Sequence, residues 1–123
     1  MVLPLQDRGY SMIQITEIND DPKQILYLVI NGYDKAKLTL EFKPNQYSWF
    51  YSLEWQNFST FNEKISNSPN ILRQYRKILP FGILIGTDGG QDPMSIDAFT
   101  TTSGLYLLDS SEVLQVESSV YDN

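Results

Sequence analysis

The chain contains no cysteine and no histidine. Without cysteine there are no disulfides and no thiolate metal sites, so packing and sheet hydrogen bonds must hold the fold, as suits a reducing compartment. Without histidine the commonest general base is missing, and the two absences together remove the usual nucleophile pairs and zinc ligands. No run approaches the roughly eighteen apolar residues that span a bilayer, and the start "MVLPLQDRGY" has neither the basic opening nor the apolar stretch of a signal peptide. We therefore expect a soluble chain that no standard signal exports.

Basic residues are also absent from one end. All nine lie at or before Lys77, whereas the remainder carries Asp88, Asp92, Asp97, Asp109, Glu112, Glu117 and Asp122. The net charge of −6 argues against nonspecific nucleic-acid binding, which draws its affinity from cations neutralising phosphates. The last basic cluster, "RQYRK", holds Arg73, Arg76 and Lys77 just ahead of the acidic third. Arginine forks grip carboxylates in bidentate fashion, so Arg73, Arg76, Lys77, Asp109, Glu112 and Glu117 form a candidate interface between copies or with partners. The competing readings are plain surface solvation and a link within one molecule.

With 123 residues, 41% hydrophobic and 13% aromatic, the composition fits one globular domain over residues 1–123. Its core is expected within 12–116, followed by a short acidic tail. An enzyme built from this sequence would work with carboxylates, for example Glu54 and an aspartate of "TDGGQDP" as a glycosidase pair. Nothing in the sequence places those acids together, so no enzymatic activity is expected. "DGGQD", residues 88–92, lacks the alternating acids and closing glutamate of an EF-hand and reads as a surface loop. No cofactor, metal or small-molecule substrate is implied.

Strand patterns dominate the rest. "SMIQITEI" alternates Ile13 and Ile15 with Gln14 and Thr16, as a half-buried strand does, and "QILYLVI" is apolar on both faces, as a strand covered on two sides would be. Asn31-Gly32 is a hairpin signal. "KAKLTLEF" puts Ala36, Leu38, Leu40 and Phe42 on one face and charged or polar residues on the other. In "QYSWFYSLEWQ", residues 46–56, strand geometry turns Tyr47, Trp49, Tyr51, Leu53 and Trp55 one way. Beside Leu38, Leu40 and Phe42 they would form the inside of a sheet; exposed, they would be a platform for stacking sugars. We expect the core. A turn and short strand follow, and then "NSPNILRQYRK", where a capping Asn67 or Ser68, Pro69 and helically spaced Ile71, Leu72 and Tyr75 predict the one helix, over about 69–77. "ILPFGILIG" and "GLYLL" read as strands around a single helical turn at "SIDAF". The expectation is a mainly β fold: a small sandwich or partly open barrel of about seven short strands with one short helix.

The order of "NGYDKAKLTLEFKPNQYSWFYSLEW", "NILRQY", "ILPFGILI", "QDPMSIDAF" and "GLYLLDSSEV" resembles the baseplate plug family of contractile-tailed phages, over residues 12–116. One departure is the turn before "NILRQY", where Asn67, Ser68 and Pro69 stand in place of a glycine. The resemblance implies a non-enzymatic virion protein, assembled in the host cytoplasm. It would sit at the centre of the baseplate against hub and tube-initiator proteins and further copies of itself, plugging or lining the tube that DNA passes. An acidic wall would let phosphates slide by. The alternative is a carbohydrate-binding β-sandwich module with exposed aromatics.

Overall fold

The computed structural model describes residues 12–30 and 33–121, the last three of these by backbone alone. The Asn31-Gly32 turn lies outside the described residues. Among the described residues the fold is mainly β, with seven strands in two antiparallel sheets that do not close into a barrel. One sheet runs β2 (Lys23–Leu28), β3 (Ala36–Lys43), β4 (Ser48–Trp55), β5 (Phe58–Lys64), in that order. The other places β7 (Ser103–Asp109) between β1 (Ile13–Gln14) and β6 (Phe81–Thr87). Helix α1 (Ala98–Thr101) is a single turn, and α2 (Ser110–Tyr121) is the only long helix among the described residues.

The core lies between the sheets. Cross-strand pairs Leu38 with Leu53, Leu40 with Tyr51 and Phe42 with Trp49 line the inner face of the four-stranded sheet. All are buried except Phe42, which packs half-buried at the rim. Leu26, Leu28, Phe81, Ile83, Ile85 and Leu105 complete the layer from neighbouring strands. A second, smaller core lies on the far side of the three-stranded sheet. There Val113 and Val116, one turn apart on α2, cover Met12, Leu84, Tyr106 and Leu108. Gly82 of β6 makes this approach possible: a Cβ there would stand 2.7 Å from Asn70 Oδ1 and 2.8 Å from Val113 Cγ2.

Several sequence expectations are corrected. Tyr47 is not a core residue. It takes a left-handed conformation (φ 49°) at the end of the 3₁₀ turn Pro44–Gln46, which breaks the alternation before β4 begins, and the residue is 67% exposed. Residues 69–77 do not form an α-helix. Their turns use bonds between residues three apart (Asn70 to Arg73, Leu72 to Tyr75, Arg73 to Arg76), with a 3₁₀ turn only at Arg73–Tyr75. Asn70 captures the Leu72 N–H with its side chain (3.0 Å), a local alternative to helical bonding. The supposed acidic tail is the real helix. Strand β1 is two residues long with Ile13 exposed, and β2 is covered on one face only.

Candidate functional site

The charged residues singled out by sequence fall into two groups. On α2, Glu117 is the hub of the first: its carboxylate accepts a hydrogen bond from Asn70 Nδ2 (2.9 Å) and lies 3.8 Å from both Arg73 Nε and Arg76 Nε. The structure thus brings three of the six interface candidates together inside one chain. Glu117 is mostly covered while both arginines are about two-fifths exposed, so each ion pair adds at most about 1 kcal/mol. Asp109 and Glu112 form the second group, at the start of α2. The Glu112 N–H donates to Asp109 Oδ1 (2.8 Å) and the Asp109 N–H to Glu112 Oε1 (2.9 Å), a reciprocal capping box. Lys77 is exposed on the turn that follows Arg76.

Asn70, which sequence reasoning passed over as a helix residue, organises the surroundings. Fully buried, its Oδ1 accepts from the N–H groups of both Leu72 and Ile83 at 3.0 Å while its Nδ2 holds Glu117. The adjoining main chain bonds to the edge of β6, with Ile71 N–H donating to Ile83 O (2.8 Å) and Ile85 N–H to Ser68 O (3.1 Å). Residues 66–80 therefore act as a strap. Its other end reaches the four-stranded sheet, where Tyr75 stacks edge-on against Phe58 (4.9 Å) and donates to Glu63 Oε2 (2.6 Å), which also accepts from Thr60 (2.6 Å). Those hydrogen bonds, Thr60 first and Tyr75 second, hold the Glu63 carboxyl below its ordinary range, and the bond to Glu63 pushes the Tyr75 phenol up. Nearby, burial pushes the Tyr51 phenol far up, with the Glu63 charge adding to it.

Both tryptophans tie the four-stranded sheet to loops. Trp49 donates its indole N–H to Ser95 O (2.9 Å) and meets Phe99 edge-on, while Trp55 donates to Asp34 O (3.0 Å) and packs against Tyr33 and Phe81. Both are buried, so neither offers a ring face for stacking a sugar. The imagined glycosidase acids are engaged separately: Glu54 pairs with Lys37 (3.8 Å) across β3 and β4, and Asp92 accepts the Asn67 N–H (2.7 Å).

The opposite flank is different in chemistry. Along β2 Ile25 and Tyr27, and just past its end Val29, point outward and are 49%, 60% and 68% exposed. Beyond them a cleft of about 350 Å³ opens where Ile13, Val29 and Tyr33 face Phe81, Leu107 and Asp109. Apolar side chains line most of it. Comparison with known proteins finds no matching family model and no matching curated protein.

Proposed function

We propose that this protein is a non-enzymatic structural component of a phage tail baseplate, sitting near the hub and tail tube as a plug or tube-lining part. The observation that carries the assembly role is the exposed apolar band of Ile25, Tyr27, Val29, Ile13 and Tyr33 on an otherwise acidic chain. Such a band gains free energy by being covered, and a chain with a net charge of −6 is poorly suited to cover it with nucleic acid. Protein neighbours are the partners this chemistry favours, and the resemblance would make them the hub and the tube initiator. The resemblance in segment order supplies the particular assembly. A wall of net negative charge suits a conduit for DNA, because phosphates are repelled and do not adhere.

The test is made on particles. Tails purified from a phage encoding this chain should contain it, and cryo-electron microscopy should place the sandwich on the tail axis at the baseplate. Infectious, purified particles that lack the chain would contradict the proposal.

A further inference from the structure

The four edge positions of the two sheets are treated unequally. A strand edge exposes unpaired backbone groups and invites another strand, so proteins blunt edges by shortness, bulges, charges or a covering segment. Strand β1 has only two residues, and β6 is covered by the strap through Ser68 and Ile71. Strand β5 is bulged: its pairing skips from Thr60 to Glu63, with Asn62 at φ 57° between them. Strand β2 has six regularly paired residues, no bulge and one charge, Lys23 at its first position. Among the described residues, none of these devices protects it.

Its free backbone groups can be assigned. Phe42 N–H donates to Pro22 O, so Pro22 and Phe42 are a hydrogen-bonded pair. Alternation along the antiparallel ladder then directs Gln24, Leu26 and Leu28 toward β3. Lys23, Ile25 and Tyr27 send their N–H and C=O groups outward, and these same residues carry the outward side chains.

We propose that β2 pairs antiparallel with β2 of a second copy about a two-fold axis, joining two four-stranded sheets into one of eight. An outward-bonding residue must face another, and the axis at Leu26 satisfies this: Ile25 of each copy lies opposite Tyr27 of the other. The result is two β-branched and aromatic cross-strand pairs, a favourable combination. The neighbouring solution, with the axis at Ile25, would keep a single apolar pair, Ile25 with Ile25, and set Lys23 opposite Tyr27 on either side of it. A foreign strand would have to bring its own complement, whereas a second copy already carries it. The exposed side chains offer on the order of 500 Å² per copy, at the low end for specific association, so the dimer is weak in dilute solution and favoured where copies are concentrated.

This inference rests on the assembly reading for the meaning of the surface, and its test is separate from the particle experiment. Because the chain has no cysteine, single Ile25→Cys and Tyr27→Cys variants report on this contact alone. After mild oxidation of an equal mixture, the mixed disulfide dimer should exceed the half share that random pairing gives. Adding Tyr27→Lys to the Ile25→Cys protein, with folding confirmed by circular dichroism, should abolish its crosslinking to the Tyr27→Cys partner. Wild-type protein should show reversible, concentration-dependent association by sedimentation. Statistical proportions of the three disulfides, or a strictly monomeric wild type at the highest concentration, overturns the pairing without bearing on whether the chain is present in tails.

Discussion

The two flanks of the sandwich solve the same problem in opposite ways. On one, the edges of β6 and β5 are bridged by the strap of residues 66–80, with Asn70 bonded to one sheet and Tyr75 to the other. On the other, β2 keeps its outward backbone groups and an exposed row of Ile25, Tyr27 and Val29. The contrast shows how the polar residues of the first flank are consumed. Arginines and a glutamate that look like an intermolecular joint in sequence meet each other and a buried amide within one chain, while the β2 flank exposes apolar side chains.

The strongest way to break the contrast is to remove the amide that seals the first flank. Asn70→Ala leaves the buried Ile83 and Leu72 N–H groups without their acceptor and takes the donor from Glu117, which should cost about 3 to 4 kcal/mol in chemical denaturation. Next comes Gly82→Ala. The new methyl would press on Asn70 and Val113, lifting α2 from the sheet at about 2 kcal/mol, read as a fall in the denaturation midpoint. Glu117→Gln keeps an acceptor for Asn70 but loses the attraction of two half-exposed arginines, so the loss should stay near or below about 1 kcal/mol and shrink in high salt.

The strap's second anchor predicts a pH effect. Because Glu63 is held below its ordinary range when folded, its contribution is complete above the unfolded value of about 4.3 and is lost as pH falls through the lower folded value. Tyr75→Phe keeps the packing on Phe58 but removes one of the two bonds responsible. Thermal melts across the acid range should therefore show a shallower loss of stability in the variant than in wild type. The smallest effect is expected on the open flank, where Tyr27→Lys should change the stability of the isolated chain by no more than about 0.5 kcal/mol.

How much of this was legible follows from what each residue's neighbours do. The alternation of Leu38, Leu40, Trp49, Tyr51 and Leu53 needs only period two, and those residues lie inside the sandwich. Tyr47 shares that period in sequence but not in space, because the 3₁₀ turn before it resets the strand at Ser48. The strap looks helical because Ile71, Leu72 and Tyr75 are helically spaced; it is the edge of β6, distant in sequence, that draws Ser68 and Ile71 into backbone hydrogen bonds. The long helix had a local signal that was missed. Asp109 followed by Glu112 is a capping box, and Val113 and Val116 supply the buried stripe, although serines and acids give the segment the look of a tail. For "QILYLVI", composition alone could not reveal that β2 is an edge strand with its odd face bare.

Residue-resolved amide hydrogen exchange, measured by NMR at two protein concentrations, tests the difference between the flanks most directly. Ile83 and Ile85, whose N–H groups the strap accepts, should exchange slowly at both concentrations. Ile25 and Tyr27 should exchange quickly in dilute solution and gain protection as the concentration rises. If Ile25 and Tyr27 were as protected as Ile83 and Ile85 in dilute protein, or if the strap-bonded amides exchanged as fast as those of β2, the division into a sealed and an open flank would be wrong.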